Sequence, residues 1–418
     1  MVRVWMMGSE GRQGGDGKRL LVYAPVPLYQ SDNGFLLEDQ ACNGIRLWAE
    51  NFDKVSIMMP VEAGPAPANW VPIEAIGPNL ERVEIVPLPT AYRPDQFLRH
   101  LRATRRIIRA QIDKADYLSF SIGGLFGDWG SVSCYEAWRK GRPYAVWTDR
   151  VESEVIRRTA HAGHWRKRLR ARLTHRPMFQ LEKFLIRRAA LGLFHGRETF
   201  DTYAPFCQRP EVVHDIHLKK SEHIPPDRLA AKRSAVTDGP LKILYLGRAD
   251  PMKGPLDWVE VLETVARAGV AFEACWLGEG PELAAMQARV RAAGLQDHVE
   301  FPGFVRDRQA VLDRLRAAHV FLFCHKTPES PRCLIEALVS GTPIIGYDGP
   351  FARDLIADGQ GGLLSPVGDT GTLAGNVAGL GRDRDRLAEM IGAAARAGSI
   401  FDDEGVFAHR SELIRRYL

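Results

Sequence analysis

The chain has 418 residues, 45% of them hydrophobic and 26% charged, with a formal net charge of +5. That length exceeds one ordinary core, so two domains of about 200 residues each are expected, and the composition is that of a globular protein. The small positive balance suits acidic small molecules, an anionic membrane surface or nucleic acid without choosing among them. Six scattered cysteines (Cys42, Cys134, Cys207, Cys275, Cys324, Cys333) with no CxxC pair argue against a disulfide framework or zinc site and fit a reducing cytoplasm.

Residues 1–18 are glycine-rich and polar, without the apolar core of a secretory signal, and read as a flexible tail in which Met7 is an alternative start. No apolar run reaches the roughly 18 residues needed to span a bilayer. Structure is expected to begin at Arg19-Leu20-Leu21-Val22-Tyr23, a short apolar run read as a buried strand. After a loop at Asn33-Gly34, residues 36–51 carry apolar side chains at helical spacing, and 55–59 read as a second strand. Further strands are predicted at 83–86, 117–122, 144–147 and 191–194, separated by helix-length segments. Such alternation implies a mainly parallel sheet covered on both faces.

The rhythm breaks over residues 219–240, where Pro225-Pro226, many charges and Asp238-Gly239-Pro240 read as a linker. A second series restarts at Leu241-Lys242-Ile243-Leu244-Tyr245-Leu246, with later strands at 272–277, 299–301, 320–323 and 343–347. The expected organisation is an N-terminal Rossmann-like domain over 19–218, the linker, and a C-terminal Rossmann-like domain over 241–402. A last helix, 403–418, is expected to cross back to the first domain. The fold class is α/β, with two Rossmann-like domains facing each other across a cleft, where ligands approach the carboxyl ends of the strands.

Three motifs in the second half carry chemistry. Gly247-Arg248-Ala249-Asp250-Pro251-Met252-Lys253-Gly254 follows a strand and presents two cations before a helix. Those cations suit a diphosphate, with arginine forked and lysine a point charge, and suit equally a solvated surface turn. Gly278 in Gly278-Glu279-Gly280-Pro281 ends the next strand in a turn where a ligand can approach the backbone. Most informative is Thr327-Pro328-Glu329-Ser330-Pro331-Arg332-Cys333-Leu334-Ile335-Glu336. A helix is predicted to start near Pro331, turning the free amides of Arg332, Cys333 and Leu334 towards an anion. Glu336, inside that helix among apolar residues, needs a partner, and vicinal sugar hydroxyls can donate to it. The alternatives are a capping role for Glu329 and a salt bridge for Glu336.

In this order, and with Phe301-Pro302-Gly303, Ser340-Gly341-Thr342-Pro343 and Gly361-Gly362-Leu363-Leu364…Asp369, these motifs resemble the donor half of retaining glycosyltransferases of family 4, which have the GT-B fold. The resemblance covers nearly all of residues 241–418; the first half is similar only in layout. It implies a metal-independent hexosyltransferase with no cofactor beyond a UDP- or GDP-linked sugar as co-substrate. Arg248 and Lys253 would hold the donor diphosphate, Glu336 the ribose hydroxyls and Glu329 the transferred sugar. The family pattern places seven residues between its two glutamates. Here residues 330–335 make six, and Pro328 stands where the first glutamate is expected, so either the loop shifts by one residue to present Glu329 or Glu329 has lost that role; the shift is the favoured reading.

The resemblance also implies that Gly34 approaches the donor phosphates and that His195 faces the sugar. Thr148-Asp149 stands where the family often has His or His-Asp; Asp149 either orients the acceptor hydroxyl or caps the next helix. His214, Asp215 and His217 lack a three-ligand spacing, and no metal site is expected.

Between Arg150 and Arg176 lie Arg157, Arg158, Trp165, Arg166, Lys167, Arg168, Arg170 and Arg172, with Leu169 and Leu173 interleaved and only Glu152 and Glu154 opposing. This reads as a surface for an anionic membrane and a lipid-linked glycan acceptor, or as a solvated helix face. Few aromatics and no RNA module leave nucleic acid unexpected. Polysaccharide assembly in the cytoplasm, peripheral to the membrane, is the expected setting. A nucleotide-sugar epimerase and a non-catalytic nucleotide-sugar-binding scaffold are the rival readings.

Overall fold

The computed structural model describes residues 18–32, 34–67, 70–159, 165–214, 216, 218–237, 239–327, 330–356 and 361–418. Of the residues singled out above, Met7, Asn33, Asp215, His217, Asp238, Pro328 and Glu329 lie outside this set, as do the side chains of Arg158 and Lys167.

Two sheets organise the chain. The first contains β1 (Arg19–Tyr23), β2 (Leu28–Ser31), β3 (Gly34–Glu38), β4 (Lys54–Glu62), β5 (Trp70–Pro72), β6 (Val83–Pro89), β7 (Tyr117–Ser121), β8 (Ala145–Thr148), β9 (Leu191–His195) and β10 (Pro210–Val213). Its order is β10-β9-β8-β7-β1-β4-β2-β3-β5, with β6 also on β4. β1 runs parallel to β4 and β7, and its Leu20, Leu21, Val22 and Tyr23 are buried, as the apolar run requires. β2, β3 and β5 form an antiparallel edge. The helical spacing expected from Leu36 is corrected here: Leu36 and Leu37 pair with Pro72 and Val71 in that edge, and the helix begins at Asp39.

The second sheet contains β11 (Leu241–Leu246), β12 (Phe272–Leu277), β13 (Val299–Gly303), β14 (Val320–Phe323), β15 (Ile344–Tyr347) and β16 (Gly362–Ser365). All registered neighbours are parallel, and the order is β13-β12-β11-β14-β15-β16. Read from its first strand this is the 3-2-1-4-5-6 Rossmann arrangement, whose topological switch point falls between β11 and β14. Its core includes Ile243, Tyr245, Trp258, Trp276, Phe321, Leu322 and Ile345, all almost fully buried.

The chain divides into two compact units. One comprises residues up to Val146 with Arg188–Leu191 and Ser411–Leu418; the other comprises Trp147–Arg187 and Gly192–Arg410. Within the second, the stretch read as linker holds a helix, Pro226–Ala235, with Pro226 in its first turn. Lys232 of that helix donates to Thr342 Oγ1 at 2.7 Å and to the Ser340 carbonyl at 3.3 Å. Within the first unit, the end of the last helix (Asp403–Tyr417) is tied down by Arg415 Nη1, which donates to the Asn51 carbonyl at 2.7 Å.

Candidate functional site

The loops at the carboxyl ends of β11, β12 and β14 are knitted together by their backbones. Gly247 N donates to the Leu277 carbonyl at 2.9 Å, Ala249 N to that of Glu279 at 2.9 Å, and Lys326 N to that of Met252 at 2.8 Å. These approaches demand glycine. Gly278 has φ +146°, and a Cβ there would stand 2.1 Å from the Gly247 carbonyl oxygen. Gly254, at φ +62°, leaves the same kind of space against Cys324, whose carbonyl oxygen would lie 2.2 Å from an added Cβ. Small residues thus let the loop after β11 lie directly on the loop after β14, at the switch point.

Cations gather on these loops. Arg248 is 75% exposed and held only loosely, at 3.3 Å, by Asp250. Lys253 closes a short turn before Gly254 and the helix Pro255–Arg267. Lys326, which sequence reasoning missed, leaves the end of β14 and pairs with Asp257 at 2.7 Å. Asp257 also accepts from Tyr347 Oη at 2.7 Å. Its only sequence signal was a lysine three residues after a buried strand. Beneath the loops, His325 is buried and 2.8 Å from Tyr245 Oη. Burial first, and the Lys253 charge second, push its pKa down to about 3, so the imidazole stays neutral beside the tyrosine hydroxyl.

The helix after β14 spans Arg332–Val339, with Pro331 as its N-cap and no capping side chain. One expectation is corrected here: the Leu334 amide donates to the Pro331 carbonyl at 3.1 Å, so it is not left open for an anion. Arg332 is exposed and Cys333 half-buried at this terminus. Glu336 finds a protein partner, Arg308, whose Nη1 lies 2.7 Å from Glu336 Oε1 while its Nε lies 2.8 Å from Glu222 Oε1. Both carboxylates are mostly buried, with side-chain exposures of 17% and 16%, and Arg308 is 42% exposed. The two carboxylates raise the Arg308 pKa against the opposing effect of burial. One Glu336 oxygen is thereby committed to the guanidinium, and no hydrogen bond to Oε2 is made among the described residues.

Two other motifs have structural roles. Gly341, at φ +62°, stops the helix: Gly341 N donates to the Leu338 carbonyl at 2.9 Å and Thr342 N to that of Ala337 at 2.8 Å. Asp369 caps the helix Thr370–Arg382 through the Thr372 amide at 2.9 Å.

The remaining residues are placed as follows. His195 is buried at the end of β9, its ring 5.8 Å from that of Phe351 and 6.0 Å from that of His214. A Cβ on the adjacent Gly196 would stand 3.5 Å from Ser330 Oγ, so this strand end lies against the segment leading to the Arg332 helix. Asp149 is exposed just after β8, where Thr148 Oγ1 donates to the Arg150 carbonyl at 2.8 Å. Gly34 opens β3 in the other unit, with nothing within 4 Å of an added Cβ. Among the described residues no group of three or more His, Cys, Asp or Glu is arranged to hold a metal ion. Described parts of the basic stretch include the helices Glu152–Thr159 and Trp165–Ile186, and Arg157 pairs with Glu154 at 2.6 Å.

Comparison with known proteins bears on these loops. Residues 227–397 match the family described as glycosyl transferases group 1. The 2-deoxystreptamine N-acetyl-D-glucosaminyltransferase of Streptomyces fradiae is 27% identical over 230 residues, 53% of this chain and 54% of that protein. A putative colanic acid biosynthesis glycosyltransferase of Salmonella typhimurium, WcaL, is 28% identical over 232 residues, 48% of this chain and 57% of that one. The chain thus spans about half the length of the curated relatives it matches. Among solved structures, Anabaena Alr3699/HepE in complex with UDP superposes with a TM-score of 0.65 at 15% identity, covering 96% of this chain and all of that one. The fold is therefore GT-B: mixed α/β, with two parallel-sheet domains.

Proposed function

With residues 227–397 matched to glycosyl transferases group 1 as the premise, we propose that the chain moves a hexose from a nucleoside-diphosphate sugar to an acceptor hydroxyl, with retention, in the assembly of a polysaccharide or glycolipid. One observation carries this reading: the 3-2-1-4-5-6 sheet gathers Arg248, Lys253 and Lys326 on the loops at its switch point, over a backbone kept bare by Gly254 and Gly278. Arg248 and Lys253 would neutralise the diphosphate as it departs, with the Arg332 and Cys333 amides at the helix terminus assisting; no metal is needed for that task. Glu336, steadied by Arg308, would accept from the ribose hydroxyls, while Gly278 lets the nucleoside lie against backbone. Glu329 and His195 would meet the transferred sugar, and Asp149 the acceptor hydroxyl. The relatives named for colanic acid biosynthesis and for N-acetylglucosaminyl transfer, and the UDP held by the structural neighbour, support a nucleotide-sugar donor and a glycan acceptor.

The test is release of nucleoside diphosphate from a panel of UDP- and GDP-linked sugars in the presence of a bacterial lipid and oligosaccharide extract. Release with one donor that depends on the extract and is lost in Lys253→Ala is the expected result. A donor that binds but is never turned over would replace the transferase with a non-catalytic scaffold. Conversion of the donor without any acceptor would replace it with an epimerase.

A further inference from the structure

The helix Trp165–Ile186 has two unlike halves. Its C-terminal half is anchored: Glu182 accepts from Ser153 N at 3.1 Å and Ser153 Oγ at 2.6 Å, and Met178, Leu185 and Ile186 are buried. Its N-terminal half carries three of the exposed large apolar side chains of the chain, Trp165 (55% exposed), Leu169 (49%) and Leu173 (66%). These recur every fourth residue, so at about 100° per residue they fall in one arc of about 80°. Arg166 and Arg170 follow on one flank of that arc, Arg168 and Arg172 on the other, and buried Ala171 lies on the far side. Arg166 stands 5.4 Å over the Trp165 ring. The exposed side chains of Arg168, Arg170 and Arg172 form no ion pair among the described residues, unlike Arg157.

We propose that this face docks on a bilayer surface bearing anionic lipids. An apolar ridge between two rows of cations matches the boundary between acyl chains and charged headgroups. The ridge enters the apolar layer while each flanking arginine reaches a phosphate. No helix among the described residues is long and apolar enough to cross a membrane, so the contact is one of lying on the surface. A nucleic acid would satisfy the arginines but gain nothing from Leu169 and Leu173, and a single tryptophan offers no stacking platform.

The experiment is co-sedimentation of the full chain with vesicles of phosphatidylcholine, with and without phosphatidylglycerol. Binding is expected only to the mixed vesicles and weakens with added salt. Replacing Arg168, Arg170 and Arg172 together by glutamine lowers the partition coefficient on the order of a hundredfold, at about fivefold per charge. The same charge change at exposed Arg99, Arg102 and Arg106 leaves it nearly unchanged. The pair Leu169→Ser and Leu173→Ser weakens binding at constant charge. Hydrogen exchange on the wild type, independent of any variant, shows protection of residues 165–176 when vesicles are added. Four results would each overturn the proposal: no binding to mixed vesicles, equal losses at the two arginine sets, indifference to the leucine pair, or binding of a single-stranded RNA oligonucleotide in place of vesicles. None of these depends on whether the chain transfers sugar.

Discussion

Replacing Gly278 by alanine tests the architecture of the donor loops directly. The residue sits at φ +146°, a conformation that costs an L side chain about 1–3 kcal/mol. Its new Cβ would also stand 2.1 Å from the Gly247 carbonyl oxygen and 2.8 Å from the carbonyl carbon. These are backbone atoms, so no side chain can swing aside. Separating the loops breaks the 2.9 Å hydrogen bond from Gly247 N to Leu277 O, and overpacking of this kind adds about 1–3 kcal/mol. The combined loss of about 3 kcal/mol or more corresponds to a fall in Tm of roughly 6–12 °C for a unit of this size. Gly375→Ala is the control: it lies within the helix Thr370–Arg382 with nothing within 4 Å of an added Cβ, and should stabilise by about 0.5–1 kcal/mol. The two variants are compared by calorimetry, with nucleotide binding measured on both. Equal Tm values would refute the reasoning that backbone contact at the switch point requires glycine.

Removing the guanidinium in Arg308→Ala strands Glu222 and Glu336, and the partial exposure of Arg308 limits the cost to about 1–3 kcal/mol of stability. Donor affinity should fall by about tenfold as the Glu336 carboxylate loses its orientation, read by titration calorimetry; unchanged affinity would separate Arg308 from the site. Acid stability follows from two buried histidines, His325 and His319, held down to about 3 and about 4 from an ordinary 6.5 by burial first and neighbouring cations second. The folded state keeps them neutral while the unfolded chain protonates them below 6.5, so their contribution is complete above that pH and is lost as pH falls. At pH 5 each costs about 2 kcal/mol, and the paired change His325→Phe with Tyr245→Phe should shrink the pH 7.5-to-5.0 loss by about that amount in urea melts. Asp369→Ala removes a helix cap and should cost about 0.5–2 kcal/mol without altering nucleotide affinity, which separates its structural role from a ligand contact.

β11 to β15 of the second sheet were legible because they are short and mostly apolar, with Lys242, Glu273 and Glu300 as exposed exceptions, the pattern of a parallel sheet covered on both faces, whereas β16 was not anticipated. The sheet's glycine turns were legible too, since strand ends followed by Gly247 and Gly278 have few other uses. The partner of Glu336 was not: Arg308 is 28 positions away, and no local pattern reports a pairing made by packing two helices together. Ser340-Gly341-Thr342-Pro343 entered only as part of the family resemblance, yet it stops a helix and receives half-buried Lys232, whose position nothing in its own neighbourhood announces. The antiparallel edge was missed because Leu36 and Leu37 extend the apolar spacing of the following helix, and only pairing with β5 separates them from it.

The central claim, a nucleoside-diphosphate sugar held at the switch point of the second sheet, is tested most directly by titrating UDP, GDP and their sugars into the wild type and into Lys253→Ala and Glu336→Ala. The account predicts saturable binding of one nucleotide series to the wild type, weakened about tenfold or more in each variant, with the Lys253→Ala loss felt by the diphosphate but not by the nucleoside alone. Binding that is absent, or that is unchanged in both variants, would contradict it.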